Sequence, residues 1–187
     1  MALLPDQLYG TRLELRRWSR EYLGEAFDAI ESSYDELGRW LIWAQRPLTP
    51  ELLEAEFKVR SRLFDEDNGW HYLVVESAGA RVVGGVGATN HRDRGNVEIG
   101  YWIRSDCASR GYATEAATLL TTSVFHSMAM IDSIEIRMDQ ANLASAAVAR
   151  RAGYVLVGDV EREIVTPGHT GHSLVWSMRR SDWSHSR

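Results

Sequence analysis

The sequence predicts a single α/β domain in which seven strands and four amphipathic helices form one unit. Three observations carry that prediction. Period-two alternation recurs in short separate runs, helical stripes lie between them, and the run Ser109-Arg110-Gly111-Tyr112-Ala113-Thr114-Glu115-Ala116 joins a strand to a helix. A chain of 187 residues is long enough for one domain with a full core. No internal repeat, linker or low-complexity segment divides it, so residues 1–187 are expected to fold as one domain.

From the start, Arg12-Leu13-Glu14-Leu15-Arg16 alternates as a strand, and Ser19 is a candidate N-cap for the helix after it. A tryptophan-containing loop, Leu37-Gly38-Arg39-Trp40-Leu41-Ile42-Trp43, leads to Thr49-Pro50-Glu51. A capping residue, a proline at the first helical position and an acidic first turn mark a helix start there, with Leu53, Phe57 and Phe64 among its apolar positions. Residues 70–76 and 81–89 form a hairpin across Ser77-Ala78-Gly79-Ala80.

The central strand follows. Val97, Ile99, Tyr101 and Ile103 share one face; Asn96, Glu98, Gly100 and Trp102 share the other. Ala113, Ala116, Ala117, Leu120, Val124 and Met128 make one helical stripe, and Ile134, Ile136 and Met138 one face of the next strand. Asn142 opens a second helix that carries Ser145, Val148 and Arg151, and Gly153 closes it. The last two strands, at 154–165 and 172–178, are joined by a turn containing Pro167, Gly168 and Gly171.

Composition bounds the partners. Acidic residues outnumber basic ones, 26 to 21, for a net charge of −5, which argues against nucleic acid as a main partner. One cysteine, Cys107, excludes an internal disulfide and fits a reducing cytosol. Met1-Ala2-Leu3-Leu4-Pro5-Asp6 lacks the basic start and apolar stretch of a signal peptide, and no apolar run can span a bilayer. A cytoplasmic protein with no membrane partner is expected. The six histidines show no metal-ligand spacing, so no metal is expected. A homodimer stays open, because edge strands can be paired or bare.

The run 109–114 offers free backbone N–H groups at a helix N-terminus, where Gly111 and the small Ala113 let an anion come close. First-turn amides have no internal partners and carry the positive end of the helix dipole, so the loop reads as a pyrophosphate cradle.

Ala108-Ser109-Arg110-Gly111-Tyr112-Ala113 falls on the pattern Gln/Arg-x-x-Gly-x-Gly/Ala, with Ala108 in place of the usual Gln or Arg. Asn142, Ser145, Gly153 and Tyr154 meet a second signature. In these two motifs the chain resembles the GNAT superfamily of acetyl-CoA-dependent N-acetyltransferases from Thr11 to about Arg180. Gly-Tyr-Ala-Thr-Glu-Ala and Asn-x-x-Ser look most like the Rim-type (RimJ/RimL-like) ribosomal-protein N-terminal acetyltransferases.

The resemblance implies a mixed, mostly antiparallel sheet with helices on both faces, splayed at its central strands, and acetyl-CoA as cosubstrate. It implies a strand bulge near Trp102 and Ile103, whose backbone would pair with the pantetheine amides like an inserted strand. Amides of Ser109, Arg110, Gly111, Tyr112, Ala113 and Thr114 would hold the pyrophosphate. Arg110 either adds charge there or faces solvent. Asn142 would bond the pantetheine arm as well as cap its helix.

Acetyl transfer to an amine needs a neutral amine, a stabilised oxyanion and a proton for the leaving thiolate. An α-amine, with a pKa of roughly 8, needs less help than a lysine side chain at about 10.4. Glu98, on the polar face just upstream of the loop, is the candidate base; the competing reading is a solvated glutamate paired to a cation. Many family members place a tyrosine seven residues after the helix-opening Asn, and here that position is Ala149. Ser145 is the candidate substitute, set against a first-turn serine bonding its own helix backbone. Tyr154 is a second candidate acid.

Trp40 and Trp43 resemble a tryptophan pair near the acceptor groove, and Trp70, Tyr72, His91 and Trp102 are further wall candidates. For each aromatic, packing for area competes with that role. His71 and His91 are either proton carriers or structural. Cys107 reads as incidental. Gly84-Gly85-Val86-Gly87 sits in a strand-like run with Asn90 where a dinucleotide fingerprint needs glycine, so it marks a bulge or a close approach to the acceptor.

The expected function is acetyl transfer from acetyl-CoA to a primary amine, foremost the N-terminal α-amine of a ribosomal protein. The alternatives are a small-molecule amine (antibiotic, amino acid or aminoacyl nucleotide) and a non-catalytic acyl-CoA-binding module.

Overall fold

A computed structural model of the chain describes residues 3–79, 81–91 and 95–185. Met1, Ala2 and the turn residue Ala80 of the expected hairpin lie outside the described residues. The strands are β1 (Gln7–Tyr9), β2 (Leu13–Arg17), β3 (Gly69–Glu76), β4 (Val82–His91), β5 (Asn96–Ile103), β6 (Ser133–Asp139), β7 (Val155–Glu161) and β8 (His172–Arg179). The α-helices are α1 (Leu23–Glu31), α2 (Tyr34–Gly38), α3 (Pro50–Asp65), α4 (Tyr112–Ser127), α5 (Leu143–Arg151) and α6 (Arg180–His185).

The strands form one sheet in the order β1-β2-β3-β4-β5-β6-β8-β7. Every neighbouring pair is antiparallel except β5–β6. That parallel pairing covers only Asn96–Glu98 against Ser133–Glu135, after which the two strands part. The sheet is thus splayed at its centre, as the resemblance implies.

Alternation assigns the two faces. Trp70, Tyr72, Val74, Val97 and Ile99 pack with Ala116, Leu120 and Val124 of α4. Leu73, Val75 and Val82 pack with Ala26, Ile30 and Leu53 of α1 and α3. Burying each of these large apolar side chains contributes about 1.5–3 kcal/mol, which fixes the register of strands whose faces would exchange on a one-residue slip. The Thr49 Oγ1 accepts from the Leu52 N–H at 3.3 Å, so the cap before Pro50 forms as its sequence requires.

Several expectations need correction. The sheet has an eighth strand, β1, a three-residue edge segment too short to show alternation. Ser19 does not cap by its side chain: a 3-10 turn at Arg20–Tyr22 precedes α1, and the Ser19 hydroxyl donates to Glu21. The tryptophan loop is not irregular throughout: it starts in the last residues of α2 and ends in a 3-10 turn at Ile42–Gln45. β7 ends at Glu161 rather than 165. α6 was unforeseen; Arg180 at its start donates to the carbonyl of Phe125 in the last turn of α4 and to those of Met128 and Ile131 in the turn that follows.

The expected bulge is on a different strand. β4–β5 pairing runs unbroken through Trp102 and Ile103. One irregularity lies between β3 and β4, where Val74 opposes Gly84 and Val75 opposes Val82, leaving Val83 as the extra residue; another lies between β7 and β8 at Leu156/Gly158.

Candidate active site

Three elements meet where β5 leaves β6. Beyond Glu98, β5 has β4 on one side and no β6 partner on the other. Alternate N–H and C=O groups of residues 100–103 therefore face the gap. α4 begins after β5, and α5 begins after β6.

At α4, Gly111 is the N-cap with φ +82° and Ser109 has φ +62°. The left-handed region suits glycine, and a Cβ at Gly111 would lie 3.4 Å from the Arg12 guanidinium. The first intrahelical bond runs from the Glu115 N–H to the Gly111 carbonyl, which leaves the N–H groups of Gly111, Tyr112, Ala113 and Thr114 without intrahelical partners. The Thr114 hydroxyl is buried and has no hydrogen-bond partner among the described residues. Such orphaned donors beside a positive helix terminus fit a phosphate group.

The flanks of this loop are held firmly. The Arg12 backbone N–H and Nε donate to Glu115 at 2.7 and 2.9 Å, and Arg12 Nη1 donates to the Arg110 carbonyl. Tyr112 donates to Glu76 at 2.6 Å. Arg104 and Arg81 hold the Asp106 carboxyl well below its usual range. Arg110 is exposed and donates to the Asp106 carbonyl at 3.1 Å. Cys107 is buried, and burial pushes its thiol up, away from nucleophile behaviour.

At α5, Asn142 accepts from the Ser145 N–H at 3.1 Å and caps the helix. The Ser145 hydroxyl lies 3.0 Å from the Tyr101 hydroxyl of β5, so it has a cross-element partner. Burial pushes the Tyr101 phenol up to about 12, against a smaller downward pull from Ser145. Tyr154 is buried in the core against Thr121, 2.6 Å away, and burial pushes its phenol far above the usual range.

On the opposite face of the sheet lies a cavity of about 260 Å³, lined by Trp18, Trp43, Arg60, His71, Glu98 and Trp102 among others. Cross-strand register explains its floor. Gly85 pairs with Trp102, and Gly87 with Gly100, so glycines underlie the large rings. A Cβ at Gly85 would come 2.5 Å from the Trp102 ring nitrogen, and at Gly87 one would clash with His71 Nδ1; at Gly100 it would meet nothing within 4 Å. Trp43 and Trp102 meet edge-to-face at 6.3 Å. The glycine cluster therefore marks the β4 bulge and the close approach of two cavity-wall side chains.

Glu98 sits on the cavity side, with His91 Nε2 at 3.7 Å and Arg137 Nε at 3.6 Å. Arg137 is closer to Glu135, at 2.8 Å. Of the other aromatics, Trp40 packs against Gly168, with His169 on its carbonyl, and does not line the cavity. Trp70 is 0 % exposed on the other face, its Nε1 bonded to Asp67. The structure thus brings Glu98, Trp43 and Trp102 together and keeps Trp40 and Trp70 apart from them. Sequence reading missed Arg12, Arg60 and Tyr101: the first two lie far from any motif, and Tyr101 was absorbed into an apolar face.

Among the described residues no group of three or more His, Cys, Asp and Glu side chains is placed to hold a metal ion. No helix among them is long and apolar enough to cross a membrane.

Comparison with solved structures finds the same fold. RimL, the ribosomal L7/L12 α-N-protein acetyltransferase in complex with coenzyme A, superposes with a TM-score of 0.86 at 18% identity, covering 94% of this chain and 99% of that one. The microcin C7 self-immunity acetyltransferase MccE, in complex with acetyl-CoA and AMP, gives 0.82 at 16% identity, covering 90% and 92%. The ribosomal-protein-S5-alanine acetyltransferase from Vibrio fischeri gives 0.80 at 17% identity, covering 95% and 98%. No curated protein matches the sequence. The family model described as acetyltransferase (GNAT) domain matches residues 12–155, most of the chain and both motif regions. The chain belongs to the acetyltransferase (GNAT) domain family and is an acetyl-CoA-dependent acetyltransferase.

Proposed function

We propose that this acetyltransferase acetylates the N-terminal α-amine of a protein, a ribosomal protein foremost, in the cytoplasm where acetyl-CoA is available. The observation that carries the reading is the division of the site about β5. Glu98 faces a cavity on one side, the Tyr101–Ser145 hydroxyl pair lies on the other, and the two sides meet at the splay. The likeness to RimL and to the S5-alanine enzyme supports the acceptor class.

Acetyl-CoA supplies the acetyl thioester. The amides from Ser109 through Thr114 would hold its pyrophosphate, with Arg12 and Arg110 as nearby cations. The unpaired backbone edge at Trp102 and Ile103 would bond the pantetheine amides, and Asn142 would bond the same arm. Glu98 takes a proton from the incoming ammonium, directly or through water. Ser145, backed by Tyr101, donates toward the sulfur as negative charge grows there. Trp43, Trp102 and His91 would frame the acceptor.

An α-amine fits this machinery better than a lysine, because its pKa of roughly 8 leaves a larger neutral fraction for a modest base. The test is mass spectrometry of peptides incubated with enzyme and acetyl-CoA. Acetylation at free N-termini, absent from N-blocked lysine peptides, supports the reading; acetylation of lysine side chains alone overturns it. A cavity of only about 260 Å³ favours a second reading, a small-molecule amine, which an amine panel in the same assay would reveal.

A further inference from the structure

Among the described residues Arg60 is the one cavity-lining arginine, and it is poorly matched by the protein around it. Its Nη1 donates to His71 Nδ1 at 3.1 Å, its Nη2 reaches Glu56 at a long 3.3 Å, and its guanidinium lies over Trp18 at 5.4 Å. The Glu56 side chain is 55% exposed, so its charge is largely screened. Arg60 Nε is buried and has no hydrogen-bond partner among the described residues. Burial and the neighbouring guanidinium hold His71 neutral, with a pKa lowered to about 3, so the ring accepts from Arg60 and adds no charge of its own.

The Arg60 side chain is 25% exposed, whereas its buried Nε lacks the acceptor that a buried donor normally has and costs free energy until one arrives. Its planar fork fits the two oxygens of a carboxylate or phosphate. Among the described residues the remaining lining charge is Glu98, which lies on β5. His71 leans over Gly87, Gly87 pairs with Gly100, and Glu98 is two residues along the strand. Strand spacing and rise put the Gly87 and Glu98 positions about 8 Å apart, with open space above Gly100 between them. The cavity therefore has a cationic end and an anionic end, separated by the length of a short molecule.

We propose that the acceptor carries an oxyanion, carboxylate or phosphate, a few bonds from its amine, and that Arg60 pairs with this anion while the amine lies toward Glu98. The inference rests on reading this cavity as the acceptor site. It narrows the acceptor to an N-terminus with an acidic first side chain or to a small anionic amine.

Calorimetry and acetylation assays on the CoA- or acetyl-CoA-loaded protein, using two matched pairs, test it. One pair is the peptide amides Asp-Ala-Ala and Asn-Ala-Ala; the other is 3-aminopropyl phosphate and 3-aminopropanol. In at least one pair the wild type should favour the anionic member at least tenfold in affinity and in kcat/KM, and which pair responds identifies the anion's source. Arg60→Gln should reduce that preference to within twofold while acetyl-CoA affinity holds, and Arg60→Lys should restore part of it. Should Arg60→Gln fail to fold, competition by inorganic phosphate against the anionic member in the wild type decides the same point. Acetylation with no preference in either pair overturns the role of Arg60 and leaves the acceptor-site reading intact. Anion-selective binding without acetylation overturns that reading and leaves the anion site standing. Equal binding of both members with no acetylation overturns both.

Discussion

The Tyr101 hydroxyl lies 3.0 Å from the Ser145 hydroxyl, joining β5 beyond its pairing with β6 to the first turn of α5. The Ser145 N–H is already engaged by Asn142. Tyr101 also donates to the Ser145 carbonyl, at 3.1 Å. Two protonated hydroxyls therefore stand together at the splay, held by opposite walls of the gap.

Removing the proximal donor should slow the chemical step. Ser145→Ala is expected to lower kcat about 100-fold, the equivalent of about 3 kcal/mol at a developing charge, with Tyr101→Phe having a smaller effect. Tyr101 is raised to about 12, so its phenol stays protonated below that pH. Wild-type kcat should show no alkaline decline up to about pH 10, where an ordinary tyrosine would be half ionised. Steady-state rates from pH 7 to 10 check both points.

Glu98→Gln separates base from ion-pair partner. As the base, its loss should cost about 100-fold in kcat/KM at pH 7, with the deficit shrinking above pH roughly 8 as the α-amine deprotonates by itself. A residue serving only His91 and Arg137, at 3.7 and 3.6 Å, would leave kcat/KM within twofold across the range.

Three glycines in one cavity floor should respond differently. Gly85→Ala and Gly87→Ala each place a methyl inside a ring, Trp102 or His71, and should destabilise by about 1–3 kcal/mol. Gly100→Ala meets nothing within 4 Å, so its stability should change by less than about 0.5 kcal/mol. It fills space beside Glu98, and acceptor KM should rise. Urea unfolding and acceptor titrations distinguish the three.

His71 links stability to pH. Its folded pKa, lowered to about 3 by burial and by Arg60, lies below the unfolded value near 6.5. Below 6.5 the unfolded chain binds a proton that the native state refuses. Its contribution is full above pH 6.5 and is lost as pH falls toward 3, at about 1.4 kcal/mol per unit. Between pH 7 and 5 this amounts to about 2 kcal/mol, and His71→Gln should flatten that part of the wild-type profile in urea unfolding.

Most of this fold was legible because local and long-range requirements coincide. Asn142 and Gly153 bound α5 by capping chemistry, and Thr49-Pro50 starts α3 the same way. Gly111 marked the loop before α4 as a place for close anion approach, and in the structure it takes the left-handed conformation with a φ of +82°. What escaped notice was short or distant. β1 has three residues and α2 five, below the length at which periodicity can be read. Arg60 and His71 are brought together only when α3 packs on β3, and nothing in their spacing announces a cavity. Trp40, Trp43 and Trp70 are alike in composition. Register and burial alone give Trp43 to the cavity, Trp70 to the core and Trp40 to the β7–β8 loop.

Calorimetric titration of acetyl-CoA into the wild type and a Gly111→Glu variant, with folding of the variant first confirmed by thermal denaturation, tests the central claim most directly. A saturable one-to-one isotherm for the wild type, abolished by a carboxylate at the N-terminus of α4, is the predicted result. Absence of binding by the wild type, or unchanged binding by a folded variant, would contradict the assignment of the cofactor cradle.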